Sequence, residues 1–233
     1  MRKKKVIFLM GPPGAGKGTQ AELIADKFGF FHFDSGRYIA RIIEESKTGI
    51  SSKRLQGPPK TKGEKTELEQ GLLTDPLWFL GLVKARTSEL ARAGMSIIFS
   101  GSPRTLLEAF GDKKHQGLVP QLIRLYGKKN IYVFKLEVHS KESLKRNSKR
   151  MICSLCRKGL LVSKNLRQCP FCGGKLIQRL DDQPAIIKTR LKEYGERTKP
   201  VIKELKERGF KITTIDGCPP PAVVFRKISR HLK

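Results

Sequence analysis

The residues most able to do chemistry stand near the start of the chain, in Gly11-Pro12-Pro13-Gly14-Ala15-Gly16-Lys17-Gly18-Thr19. The G-x-x-x-x-G-K spacing lets backbone N–H groups turn inward around phosphates. The apolar run Val6-Ile7-Phe8-Leu9-Met10 precedes it and a helical pattern follows. The loop is therefore expected between a buried strand and a helix N-terminus, whose dipole adds positive potential. On this reading Gly14, Ala15, Gly16, Lys17, Gly18 and Thr19 bind the phosphates of a nucleotide. Lys17 would reach the β/γ-phosphates and Thr19 would offer a hydroxyl to phosphate or Mg²⁺. The slot directly after the lysine holds Gly18, so that hydroxyl arrives one residue late.

A second group is made of sulfur. Cys153-x-x-Cys156 and Cys169-x-x-Cys172 are separated by twelve residues. Each pair supplies two thiolates from one turn, and together they satisfy a closed tetrahedral Zn²⁺ site, which is structural rather than catalytic. The metal would fold a stretch too small for its own core. Paired C-x-x-C cysteines of this kind point to a reducing compartment, with the cytoplasm as the simplest location. Cys218 is left over as an ordinary small residue.

Apolar runs predict strands at 5–10, 30–33, 96–100, 130–136 and 210–215. Helical patterns lie near 17–28, 37–47, 75–93, 105–126, 140–151 and 182–208, with a last helix after Pro221. This alternation predicts an α/β fold in which a parallel sheet is covered on both faces. Residues 48–63 are rich in Gly, Pro and Lys and read as a mobile connection; residues 152–178 form a small insertion around the cysteines. No apolar run approaches the ~20 residues a membrane span requires.

The charge is large and lopsided. The 233 residues carry 48 Lys and Arg against 21 Asp and Glu, a net +27. Residues 1–110 hold 18 basic and 11 acidic residues, whereas residues 111–233 hold 30 and 10. Such a balance favours polyanionic partners, either nucleotides or nucleic acid, and the alternative is a solvated basic face. From Lys145 to Leu180 there are ten Lys or Arg and no Asp or Glu. A cysteine ribbon this basic fits ATP phosphates and RNA alike.

The G-K-G-T form of the loop resembles that of adenylate kinases and related nucleoside monophosphate kinases, and the similarity extends over nearly the whole chain. Ser35-Gly36 followed by Arg41 resembles the S/T-G-D…R of the acceptor site, and Gly101-Ser102-Pro103-Arg104-Thr105 resembles D-G-F-P-R-T. Arg146 and Arg150 resemble the paired arginines before the lid; Arg179-Leu180-Asp181-Asp182 to Arg190-Leu191 resembles the R-x-D-D…R-L after it, and Asp216-Gly217 completes the series.

The resemblance implies one kinase domain spanning 1–233. Its core is 1–36, 74–151 and 179–233, with a nucleoside-monophosphate-binding segment at about 37–73 and a zinc lid at about 152–178. It implies ATP-dependent phosphoryl transfer, ATP + AMP to 2 ADP, with Mg²⁺ and a monomeric chain. Lys17, Arg104, Arg146, Arg179 and Arg190 would be catalytic, and Arg146 and Arg150 would also hold ATP. Ser35, Arg41, Gly101, Arg104, Glu108, Arg179 and Arg190 would hold the acceptor.

This chain departs from the family pattern at four places. Arg37 and Ser100 stand where the family has Asp residues that help orient the magnesium water shell, and Arg41 comes one residue late. Glu108 replaces a glutamine that reads adenine; an acceptor-only carboxylate suits the N–H edge of guanine, so GMP is the alternative acceptor. The alternative function is a weakly catalytic relative that binds RNA or a ribonucleoprotein through its basic surface.

Overall fold

The computed structural model describes residues 4–47, 76–161, 166–179 and 182–232. The chain begins with β1 (Val6–Met10), α1 (Lys17–Phe28), β2 (Phe31–Phe33) and α2 (Ser35–Lys47). It resumes with α3 (Pro76–Arg92), β3 (Ile97–Phe99), α4 (Leu106–Phe110), α5 (Leu118–Tyr126), β4 (Ile131–Glu137) and α6 (Ser140–Ser148). Three short strands follow, β5 (Arg150–Cys153), β6 (Gly159–Leu161) and β7 (Leu176–Gln178). The last elements are α7 (Pro184–Glu193), α8 (Lys199–Glu207), β8 (Ile212–Asp216) and α9 (Pro221–Ser229).

Five strands form one parallel sheet in the order β2-β3-β1-β4-β8. All five residues of β1 are buried, as expected of a central strand covered on both faces. The period of two divides its side chains between two cores. Val6, Phe8 and Met10 pack with Phe99, Leu122 and Val201 on one face, while Ile7 and Leu9 pack with Ile24, Leu136 and Ile228 on the other. Because every strand runs the same way, the loops after β1, β2, β3 and β8 emerge at one end of the sheet, where an open parallel sheet binds its ligands.

The fold class agrees with the sequence reading, and three expected helices are revised. The helix expected at 105–126 is two helices. Between them Asp112 Oδ1 accepts from the N–H groups of Lys114 and His115, a local bond that competes with helix continuation. The helix expected through 151 ends at Ser148, because Arg150–Cys153 pairs as β5 between β6 and β7 in an antiparallel sheet. The helix expected at 182–208 is interrupted by a π-helical segment, Tyr194–Thr198. The connection at 48–63, and most of the acceptor-binding segment at 37–73, lie outside the described residues.

Candidate active site

The loop after β1 carries three positive φ angles, 147° at Gly11, 77° at Gly14 and 86° at Gly16, and its last glycine is the N-cap of α1. Gly14 has a second constraint. A Cβ there would lie 2.7 Å from Asn147 Nδ2 and 2.8 Å from the Ser143 carbonyl, so only a glycine lets α6 pack onto the loop. The Ser143 hydroxyl donates to the Pro13 carbonyl from the same helix. Lys17 Nζ folds back over the loop and donates to the Gly11 and Pro12 carbonyls at 2.8 Å each.

The electrostatics around Lys17 define the site. Its pKa is held well below the usual lysine value, first by burial and then by the guanidinium charges of Arg104, Arg190 and Arg150; Asp34 opposes them. The charges of three arginines from three separate segments thus act together on one half-buried ammonium, an arrangement that an incoming polyanion would stabilise. Arg104 Nε donates to the Gly101 carbonyl at 2.6 Å, and its own carbonyl accepts from Thr198 Oγ1. Arg150 and Arg190 are gathered by Asp182, whose side chain is fully buried. Arg150 grips that carboxylate with two nitrogens, and Arg190 Nη1 lies 3.4 Å from Oδ1. Sequence reasoning quoted Asp182 only as part of a motif; no pattern in the chain alone shows that one carboxylate serves two arginines.

The other predicted arginines are placed differently. Arg146 is fixed edge-on, with Nε on Glu142 at 2.7 Å and Nη1 and Nη2 on the Gly217 and Cys218 carbonyls at 2.8 Å. Its N–H groups are thus largely committed to protein, which leaves the guanidinium face rather than its fork to meet a ligand. Arg179 is felt at Asp34, on the acceptor side. Arg41 lies exposed on α2.

On that acceptor side the departures from the family pattern have structural roles. Asp34 caps α2 by accepting from Arg37 N–H, while Arg37 reaches Asp34 at 3.3 Å and Glu22 on α1. Arg37 thereby ties two helices together. Burial pushes the Asp34 carboxyl up, but the Arg37 N–H and the charges of Arg37, His32 and Arg179 pull it below its ordinary range. Ser100, at the end of β3, has its hydroxyl 2.7 Å from His32 Nε2, and burial lowers the pKa of that histidine. His32 was not anticipated from sequence, because a lone histidine beside a short strand carries no distinguishing signal. Ser35 and Gly101 meet closely here: a Cβ on Gly101 would collide with Ser35 Oγ. Ser35 is buried, and its hydroxyl has no hydrogen-bond partner among the described residues.

Glu108 is 3% exposed, and its Oε2 accepts from Arg104 N–H at 2.6 Å. Its own N–H donates to Thr105 Oγ1, so the pair forms the capping arrangement of α4. The expectation that Glu108 contacts the acceptor base is thus displaced by a helix cap, because the carboxylate is turned to backbone. Burial raises its pKa, against the Arg104 N–H. A carboxyl raised in the folded state contributes stability that is full below its unfolded pKa and is lost as pH rises through the folded one. The Ser102 hydroxyl also opposes that rise, but burial prevails. Glu108→Gln is therefore expected to stabilise the protein by about 1 kcal/mol at neutral pH and far less in acid, read from urea unfolding at both pH values.

The four cysteines converge as the sequence predicts. Their Sγ atoms all lie within 4.8 Å of one another, with Cys153–Cys172 at 3.4 Å and Cys156–Cys169 at 3.7 Å. Zinc–sulfur bonds of ~2.3 Å in a tetrahedron place sulfurs ~3.8 Å apart, so the donor set fits Zn²⁺. Each C-x-x-C turn is followed by a residue at positive φ, Arg157 at 59° and Gly173 at 71°. Gly174 allows the two turns to meet, since a Cβ there would stand 2.8 Å from Cys153 Sγ. Among the described residues, apart from the sulfurs, the cluster's buried core holds only Leu176, too little to hold β5–β7 together. Stripping the metal with a chelator is expected to release about one zinc per chain and abolish amide-exchange protection in 150–178, with the parallel sheet left protected.

Among the described residues, oxygen donors that could serve Mg²⁺ include the Thr19 hydroxyl, exposed in the first turn of α1, and Asp34, whose charge reaches Lys17. An oxygen set of this kind suits a magnesium that keeps several waters.

Comparison with known proteins agrees with this geometry. Residues 9–210 match the family model described as Adenylate kinase. A protein from Chlamydia pneumoniae named "Adenylate kinase" is 35% identical over 202 residues, covering 87% of this chain and 85% of its own. Relatives of the same name from Pelobacter propionicus and Syntrophobacter fumaroxidans are 30% and 32% identical, each covering 97% of this chain and 96% and 99% of their own lengths. No helix among the described residues is long and apolar enough to cross a membrane. With a phosphate loop ringed by arginines, a cysteine-ribbon lid and these relatives, the chain belongs to the adenylate kinase family of nucleoside monophosphate kinases.

Proposed function

We propose that the protein transfers the γ-phosphoryl group of ATP to AMP, giving two ADP. The observation that carries this reading is the convergence of Arg104, Arg150 and Arg190 on Lys17. Phosphoryl transfer needs little covalent chemistry; it needs two repelling phosphate chains aligned, neutralised and kept from water. In this reading residues 14–19 and Lys17 hold the donor phosphates. Arg150 and Arg190, held by Asp182, meet the transferring group, and Arg104 with Ser35 and Gly101 receives the acceptor phosphate. Arg179 bridges toward the acceptor side, Arg41 steers the acceptor from α2, and the face of Arg146 stacks on the donor base. Asp34 and Thr19 would hold Mg²⁺, which would supply charge neutralisation, and Cys153, Cys156, Cys169 and Cys172 would hold a Zn²⁺ that keeps the lid folded.

AMP is favoured over GMP because Glu108, the ground for guanine, is spent on capping α4. The RNA-binding alternative draws no support from the relatives. The test is diphosphate formation from ATP and Mg²⁺ with AMP, GMP, CMP and UMP in turn. AMP is expected to be the best acceptor. Faster turnover with GMP would overturn the assignment of acceptor, and no transfer to any acceptor would overturn the reaction.

A further inference from the structure

The catalytic site uses the end of the sheet where the strands finish; a second cavity opens at the end where β4 and β8 begin. It has a volume of about 460 Å³ and is lined by Lys128, Lys129, Lys211, His231, Tyr132 and Thr213, among others, with no acidic side chain in its wall. That volume lies within the ~300–1,000 Å³ of small-ligand sites. The strand geometry separates it from the phosphate loop. Ile131 and Val133 line the cavity at the start of β4, whereas the Glu137 carbonyl, at the other end, accepts from Gly217 beside the loop. Six steps of ~3.3 Å put the two sites ~20 Å apart.

The wall combines two chemistries. Lys128 is held in place, with Nζ on the Arg208 carbonyl at 2.7 Å and 5.2 Å from the Phe210 ring centroid. Lys129 and Lys211 are exposed and extend the same positive rim. Tyr132 supplies a flat wall, and Lys5 lies over its ring at 5.6 Å while donating to the Leu232 carbonyl at 2.6 Å. Thr213 adds a hydroxyl on the neighbouring strand. Positive charge with no internal counter-ion calls for an anion, and an aromatic wall beside a hydroxyl calls for a planar polar ring. A cavity of this size, open on one side, has room for a discrete small molecule. None of these residues belongs to the phosphate-transfer machinery, and the lining residues, unlike Lys5, lie in the half of the chain that carries most of the excess charge.

We propose that this cavity is a second nucleotide site, taking a free nucleoside mono- or diphosphate with its phosphates on Lys128, Lys129 and Lys211 and its base against Tyr132. The experiment counts ADP bound per chain by equilibrium dialysis and follows the backbone amides of Tyr132, Lys211 and Thr213 by NMR. It compares the wild-type chain with the double variant Lys129→Glu, Lys211→Glu, whose two positions are exposed and remote from catalysis. Wild type is expected to bind one more ADP than the variant and to show saturable shifts at those three amides. The variant should weaken that class of binding roughly 10–100-fold while keeping wild-type kcat and KM. Equal stoichiometry in the two proteins overturns the proposal. Pyrophosphate binding as tightly as ADP would overturn the nucleotide class in favour of a bare phosphate. Binding of a ten-residue uridine oligomer with steep salt dependence and no ADP binding would overturn it in favour of RNA.

Discussion

Lys17→Ala is expected to lower kcat/KM for ATP by about 10²–10³-fold while leaving the folded protein as stable as before, or more so. The two halves of that result have one cause. Desolvation first, and then repulsion by the charges of Arg104, Arg190 and Arg150, lowers the pKa of the Lys17 ammonium. A lysine lowered in the folded state costs stability at pH values where it must stay charged. That cost fades as pH rises through the folded pKa toward the unfolded value of ~10.4, so the ligand-free protein gains stability across that alkaline window. Lys17→Ala removes the slope, and bound ATP removes it too by supplying the missing negative charge. Unfolding measured against pH for both proteins, with and without nucleotide, checks this together with the loss of turnover. A variant that lost activity through general disruption would instead unfold more easily at every pH.

Asp182→Ala should have the opposite balance, with a large loss of stability together with the loss of activity. Its carboxylate is fully buried and is gripped by two nitrogens of Arg150, with Arg190 at 3.4 Å. Removing one partner from such a cluster strands the others, at a cost of about 3–5 kcal/mol. Both stranded guanidiniums also face Lys17, so the repulsion there grows. Urea unfolding reports the stability loss, and KM for ATP is expected to rise as Arg150 and Arg190 lose their fixed positions. A variant as stable as wild type would show that solvent, rather than Asp182, holds the two arginines.

The parallel sheet was legible in the sequence because β1, β3 and β4 are apolar runs bounded by loop residues, and such runs bury whatever surrounds them. The phosphate loop and the cysteine cluster were legible because their chemistry depends on spacing along the chain. What stayed hidden depends on distance through space. The break between α4 and α5 comes from a side-chain bond by Asp112, which a helical hydrophobic pattern does not register. The strand β5 looked like the end of a helix because Met151 and Ile152 pair with segments up to 27 residues away. Glu108 looked like a specificity residue from its position in a motif, yet burial and the free N–H groups before α4 drew it into a cap. Arg37 is similar: its charge stood where the family has an Asp that helps orient the magnesium water shell, and the structure spends it on Glu22 and Asp34.

The packing of α6 on the phosphate loop reaches further than local fit. Through Ser143 and Gly14 that helix is bolted to the glycine loop after β1, and two residues after its last turn the chain enters the cysteine ribbon. The ribbon is thus carried by the helix that rests on the loop. A substitution at Gly14 that pushes this helix outward is therefore expected to displace the ribbon as well.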